Sequence, residues 1–390
     1  MKVLLHIGQS KTGTSAIQAF LTLNRMSLQE AGVLYPAVKV GGMTIDLGAH
    51  NAVADSLVGM SRFPHLNADQ YFSQFFKEAQ RIDAKLLILS AEHFFGGEPR
   101  IWAVASDEEY FRLYRQKLER LATHLKGHDV NLLVYLRPQL DWLASAACHT
   151  VRIDRLISDC PIYQNDRQFF ELMKPLLRYS VLLDIWTDVV QPSTFTVVPY
   201  AKNTLYEGSS ISDFLRHTGL EKMHFPFANV DIQVNRSLTR EYLEVKKILN
   251  RSPRSKNAER VIIRCLERLS EKSLESTRYG FSEDIRRDLE SVVATENTRL
   301  NERYRTDNLS FVARGPEQDH EQKPLSEEDM IRAMATFKRE YSRPRYRLLS
   351  LNYASRAFLR VYGKPVHGAL HRMKISYLKM WYRNDQPFGS

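Results

Sequence analysis

The 390-residue chain lacks most of the features that mark secreted, metal-bound or membrane-spanning proteins. Its only cysteines are Cys148, Cys160 and Cys265, with no C-x-x-C spacing, and any disulfide scheme leaves one of them unpaired. That pattern fits a reducing compartment and offers no structural zinc site. No stretch approaches the roughly 18 apolar residues of a membrane span. The amino terminus has one basic residue, Lys2, before an apolar stretch broken by His6 and Gly8, too short for the core of a signal peptide. The expectation is a cytoplasmic protein. Internal repeats and low-complexity tracts are also missing. With 43% hydrophobic and 26% charged residues, the composition is that of an ordinary globular chain, long enough for one large α/β domain or two smaller ones.

The net charge of +10 is unevenly spread. From Arg343 to Ser390 there are ten Lys/Arg and one acid, Asp385, so this stretch carries +9; the remaining 45 basic and 44 acidic residues leave +1 for everything before it. Ser355 to Arg383 interleaves aromatic and aliphatic residues with Arg and Lys, as a surface-seeking amphipathic helix does, although Gly363 and Pro365 break any single helix there. Two readings stand. The tail is a contact for an anionic membrane surface or other polyanion, with nucleic acid the less favoured partner. Alternatively it is a terminal helical pair with a solvated basic face.

Apolar runs and helical spacing alternate along the first half. Val3 to Ile7, Lys85 to Ser90, Asn131 to Leu136 and Phe195 to Tyr200 read as strands, the continuous apolar ones buried on both faces. Between them, Ser15 to Ala31, Asn51 to Met60, Tyr71 to Ile82, Glu108 to Leu125 and Leu140 to Ile157 read as helices, the first ended by Gly32. Strands alternating with helices imply a parallel sheet with ligands at the carboxyl ends of its strands. From about residue 203 the chain turns mostly helical: Ser210 to Thr218, Thr239 to Asn250, Ala258 to Ser270 and Ser282 to Tyr304. The expected organisation is an α/β domain over 1–311, a charged linker at 312–323 with Gly315 and Pro316, and a basic helical extension over 324–390.

Chemistry concentrates in LHIGQSKTGTSAIQAFL, residues 5–21: a strand, a loop with Gly8 and Gly13, then a helix. Successive backbone N–H groups in such a loop, followed by the unpaired N–H groups of a helix start, form an anion-binding concavity. Lys11, Thr12, Thr14 and Ser15 add one charge and three hydroxyls. The glycines keep the G-x-x-x-x-G spacing of a Walker A loop, but Thr14 stands where its lysine belongs and the only lysine lies inside the loop. A nucleoside triphosphatase also places an acid at the end of a neighbouring strand to hold magnesium, whereas Asn131 to Leu136 ends in Arg137. A cation there points to a second phosphate.

KTGTS in the first loop and VYLRPQLDWLASA later in the chain resemble the sulfotransferases that use 3′-phosphoadenosine 5′-phosphosulfate (PAPS), in particular a bacterial branch with HIGxxKTGT at its first strand. Weaker echoes lie at Val234 to Leu238 and Glu296 to Tyr304. The resemblance implies a P-loop-like three-layer α/β sandwich around a parallel sheet. It implies that Lys11, Thr12, Gly13, Thr14 and Ser15 hold the 5′-phosphosulfate, that Arg137 and Ser145 hold the 3′-phosphate, and that the acceptor is a carbohydrate hydroxyl. No metal is required in this chemistry. The missing membrane anchor, usual in Golgi members, favours a bacterial enzyme.

Sulfuryl transfer to a hydroxyl needs a base for the acceptor's proton and a cation for the departing phosphate. Lys11 is the natural cation. LLILSAEHFFGG places Ser90, Glu92 and His93 just past a strand end, and Glu92 is the chosen base; a helix-capping or salt-bridged carboxylate is the plainer alternative. His50, in LGAHNAV, resembles a histidine found after the first helix in the bacterial branch, with roles at the acceptor and as a satisfied structural histidine both open. His93 and His149 are read as structural, and Arg236 and Ser237 as helix-capping or nucleotide-facing. Two other functions remain open: a kinase with a degenerate loop, which needs magnesium and a carboxylate near Thr14 or Ser15, and a non-catalytic binding protein working through the basic tail.

Overall fold

A computed structural model of the chain describes residues 1–40, 43–44, 48–60, 66–96, 101–157, 162–201, 204–226, 238–272, 279–304, 325–346 and 348–350. These fall into two compact units, one comprising residues 1–150, 162–237 and 279–324, the other residues 151–161, 238–278 and 325–390. The second unit gathers helices from the middle of the chain together with the carboxyl-terminal segment. The linker, residues 234–237 of VNRSL and the amphipathic stretch 355–383 lie outside the described residues. Among the described residues no helix is long and apolar enough to cross a membrane.

The first unit is α/β. Its strands are β1 (Lys2–His6), β2 (Val33–Leu34), β5 (Leu86–Ser90), β6 (Asp129–Leu136) and β7 (Thr194–Pro199), in one five-stranded sheet ordered β2-β5-β1-β6-β7. Every pairing in it is parallel, with Leu4 opposite Ile88 on one side and Asn131 on the other. A two-stranded antiparallel hairpin, β3 (Lys39–Val40) with β4 (Met43–Thr44), stands outside that sheet.

The strands are apolar without alternation because both sheet faces are covered. On one face Leu4, Ile88, Leu133 and Val198 pack with Ile17, Phe20, Leu28 and Phe214 of α1 (Thr14–Leu23), α2 (Arg25–Glu30) and α10 (Ser210–Thr218). Facing the other way, Val3, Leu5, Leu87, Leu89, Leu132 and Val134 are buried as well. The expected single helix Ser15 to Ala31 is broken at Asn24, whose backbone and side-chain N–H groups both donate to the Phe20 carbonyl, at 3.1 and 2.9 Å. Gly32 follows in the left-handed region, φ 74°, as its place after the helix predicts.

The remaining helices of this unit are α3 (Asn51–Ser56), α4 (Ala68–Arg81), the one-turn α5 (His93–Gly96), α6 (Asp107–Leu125), α7 (Gln139–Ile157), α8 (Asp166–Leu177), α9 (Tyr179–Val190) and α13 (Glu283–Tyr304). α7 starts in the first unit and its last seven residues belong to the second. The echo in α13 is structural: Glu296 accepts the Ser180 hydroxyl, and Asn297 Oδ1 accepts from Gln139 Nε2 at 2.6 Å. The second unit is helical, with α11 (Arg240–Asn250), α12 (Lys256–Lys272) and α14 (Glu327–Tyr341).

The sheet order places a topological switch point beside β1. From β1 the chain runs to the β2 edge, while from β5 it crosses β1 to reach β6, so neighbouring strands send their connections in opposite directions. A crevice opens outside the carboxyl ends of strands at such a point.

Candidate functional site

β1 ends in the middle of the sheet and its chain turns through Ile7 to Gly13 before α1 begins. Gly8, Lys11 and Gly13 take left-handed backbone, φ 108°, 70° and 78°. Gly8 must be small because a Cβ there would lie 3.3 Å from Glu92 Cα, and at Gly13 a Cβ would press to 2.7 Å from Ser210 Oγ. The turn leaves its donors open. Among the described residues, the backbone N–H groups of Ser10, Thr12, Gly13, Thr14 and Ser15 meet no acceptor, although Thr12 and Thr14 are buried. Buried N–H groups are rarely orphaned in folded proteins, and a run of open donors in such a turn has the form of an anion-binding concavity.

The side chains of the loop are less uniform than the sequence implies. Thr12 is turned inward and its hydroxyl donates to the Gln9 carbonyl at 2.6 Å, so Thr12 offers an anion its backbone alone. The Thr14 hydroxyl donates to Glu92 Oε1. Ser15 is half-buried with its hydroxyl uncommitted among the described residues.

β6 is the longer neighbour of β1 and carries the second loop. Arg137, directly after it, has no ion pair among the described residues, and the hydroxyl of Ser145, in α7, makes no hydrogen bond even to its own helix. Three residues unremarked in the sequence bind the two loops together. Gln9 Nε2 donates to the Tyr179 hydroxyl at 3.0 Å, and that hydroxyl donates to the Arg137 carbonyl at 3.0 Å. The Arg137 N–H returns to Gln9 Oε1 at 3.3 Å, and Trp142 Nε1 donates to the Ser10 carbonyl at 3.2 Å. Burial pushes the Tyr179 phenol well above its ordinary range, keeping its proton in this network. Tyr200, at the end of β7, brings its hydroxyl to 3.2 Å from where a Gly13 Cβ would be.

β5 supplies the third edge. Ser90 is fully buried and its polar groups are all taken: its N–H donates to His50 Nδ1 at 3.0 Å, its carbonyl accepts the His50 N–H at 2.8 Å, and its Oγ meets His6 Nδ1 at 2.8 Å. This corrects the expectation for His50. Its Nδ1 accepts from Ser90 and its Nε2 donates to the Pro36 carbonyl at 2.9 Å, so both ring nitrogens are committed. Burial lowers its pKa to about 4, and the Tyr35 and Phe75 rings lie edge-on at 4.9 and 5.7 Å. His50 is a neutral strut between loop and strand, without a free nitrogen to act as base.

Glu92 does reach the loop. Its Oε1 accepts from Thr14, its Oε2 has no partner among the described residues, and its carbonyl caps α5 by accepting from Phe95 and Gly96 at 3.2 and 3.1 Å. The carboxylate beside Thr14 that the sequence does not display is therefore supplied by the strand next to β1. His93 adjoins it with Nδ1 2.5 Å from Asp55 Oδ1, an arrangement whose only sequence trace is Asn51 and Asp55 one helical turn apart. Among the described residues no group of three or more His, Cys, Asp or Glu side chains is gathered as for a metal.

The arrangement brings a loop of open backbone N–H donors, the Arg137 segment and one carboxylate to the carboxyl ends of three adjacent strands. No family model, characterised protein or solved structure matches the chain.

Proposed function

We propose that the chain is a P-loop-like sulfotransferase that moves a sulfuryl group from PAPS to a hydroxyl, with the carbohydrate acceptor resting on resemblance alone. The observation that carries this reading is the second anion site. Arg137, its side chain uncommitted among the described residues, is tied through its backbone to the loop of open N–H donors by Gln9 and Tyr179, and Ser145, its hydroxyl equally uncommitted, follows eight residues later in α7. A donor with phosphates at two ends of one ribose needs two such places, whereas a nucleoside triphosphate carries its phosphates in one row.

The donor brings an activated sulfuryl group. Thr12 to Ser15 bind its 5′ end through backbone N–H groups, and Arg137 with Ser145 binds the 3′-phosphate. Glu92 takes the acceptor's proton through Oε2 as the acceptor oxygen bonds to sulfur and the sulfur–oxygen bond to the 5′-phosphate breaks. Lys11 neutralises the oxygen left on that phosphate. Thr14 orients Glu92 by holding Oε1, as a fixed partner orients a catalytic base elsewhere.

The Thr14–Glu92 bond also favours a second reading. A hydroxyl in the first turn of the helix after the loop, bonded to an acid on the neighbouring strand, is how loop-type nucleotidases hold magnesium. Calorimetric titration with adenosine 3′,5′-bisphosphate and with ATP plus magnesium separates the two. The sulfotransferase reading expects the bisphosphate to bind without metal, weakened roughly ten- to hundredfold in Arg137→Ala for the loss of charge-assisted hydrogen bonds. Tight binding of ATP with magnesium only would replace it with the kinase.

A further inference from the structure

Arg137 is held at both ends of its backbone by side chains from elsewhere in the chain. Past the end of β1 the pairing with β6 continues one step: the Gly8 carbonyl accepts the Tyr135 N–H at 2.8 Å, and the Gln9 N–H donates to the Tyr135 carbonyl at 3.0 Å. There the loop turns away, and the following N–H on that edge, Arg137's, goes to Gln9 Oε1 at 3.3 Å instead of to backbone. An N–H must meet an oxygen, so the carboxamide has one orientation and its Nε2 faces the Tyr179 hydroxyl at 3.0 Å. That hydroxyl has a single proton to give, and the Arg137 carbonyl takes it at 3.0 Å.

Satisfying the end of a ladder would need Gln9 alone. Tyr179, fully buried and 170 residues along the chain from Gln9, adds the second hold and closes a ring of bonds through the carboxamide. Only the guanidinium is left uncommitted among the described residues. Burial raises the phenol pKa of Tyr179 and of Tyr200, and the Arg137 charge opposes the rise at each, so it lies within electrostatic reach of both hydroxyls. One of those hydroxyls bonds Gln9 and the other stands 3.2 Å from where a Gly13 Cβ would be. Both phenols that feel the charge therefore adjoin the turn that carries the open N–H groups.

Building on the sulfotransferase reading, we propose that Gln9 and Tyr179 are positioning residues that fix the Arg137 backbone relative to the first loop and so set the one phosphate spacing that the pair of anion sites accepts. Two sites joined by a stiff ligand reinforce each other only when their separation matches that ligand's. A phosphate on the 3′-oxygen of a ribose and one on the 2′-oxygen stand in different places relative to the 5′-phosphate. The ring thus makes the site select the 3′,5′ isomer.

Calorimetric titration of the full chain with adenosine 3′,5′-bisphosphate, adenosine 2′,5′-bisphosphate and AMP tests this. Wild type should bind the 3′,5′ isomer most tightly. Tyr179→Phe should bind AMP as wild type does and lose about tenfold of the 3′,5′ isomer's advantage over the other two ligands, the effect of one hydrogen bond. Gln9→Met, similar in volume, should do the same and serves if Tyr179→Phe does not fold. Added to Arg137→Ala, which keeps the ring, Tyr179→Phe should cost the 3′,5′ isomer nothing further, because the ring acts through that guanidinium. An unchanged advantage in the folded variants, a parallel fall for all three ligands, full additivity with Arg137→Ala, or a wild type indifferent to the isomer overturns the inference and leaves the sulfotransferase reading standing. If wild type gains nothing from a second phosphate, both fall together.

Discussion

The ion pairs buried in the helical unit differ from the half-exposed polar groups at the crevice of the α/β unit. In the helical unit Lys246 and Glu259, both without exposure, close on each other at 3.0 Å, Asn250 accepts from the same ammonium, and Arg152 meets Glu267 at 2.8 Å. Burial lowers the Lys246 pKa while Glu259 opposes the shift, as in a pair whose charges serve each other. At the crevice of the α/β unit the partnerships stop short: Glu92, His93, Arg137 and Ser145 each keep an atom uncommitted among the described residues. Closed pairs hold a shape, and open ends at a strand terminus remain available for chemistry.

Substitutions on each side should therefore fail differently. Glu92→Gln should lower sulfate transfer by roughly 10² to 10⁴ if Glu92 is the base, with a near-normal melting temperature; turnover close to wild type in a steady-state assay would remove Glu92 from that role. Glu259→Gln should do the reverse. It strands a buried ammonium and should cost about 3–5 kcal/mol in denaturant unfolding, while the folded protein keeps its affinity for adenosine 3′,5′-bisphosphate. A loss of both properties in either variant would blur the comparison.

The smallest expected effect is set by acid. His50 is held neutral, with its pKa lowered from 6.5 to about 4, so below pH 6.5 the unfolded chain binds a proton that the folded chain refuses. Stability is fully present above pH 6.5 and declines as the pH falls toward 4, by at most about 3 kcal/mol from this group. His6, buried and lowered to about 3, adds to the same loss further down. Thermal melts between pH 7 and pH 4 should show the decline, flattened in His50→Gln; an equal slope in that variant would deny the strut.

Strands β1, β5, β6 and β7 were legible because a strand covered on both faces is written as an unbroken apolar run. Helix α10 matches its expected bounds, Ser210 to Thr218, since Ser209 caps its start and Gly219 ends it in the left-handed region. No element was expected over α8 and α9, where Pro175 inside α8 and the break at Arg178 disguise two helices. β2 is only two residues long, too short for any periodicity. Of the candidate site, the glycines, Lys11, Arg137 and Ser145 could be marked by type and spacing. Gln9, Trp142, Tyr179 and Tyr200 could not, since a glutamine or an aromatic residue carries no local sign of the loop it will join.

By itself the sequence determined the strand, the turn and the helix that make an anion cradle, because backbone conformation at glycine and apolar periodicity are local properties. Only the tertiary structure decided which acid meets Thr14, which histidine is spent as a strut and which is held open. Those outcomes depend on bonds such as Thr14 to Glu92, 78 residues apart, and His93 to Asp55, 38 apart, which the parallel register and the packing of α3 against α5 create. Side-chain partners so distant leave no periodic trace in the chain that encodes them.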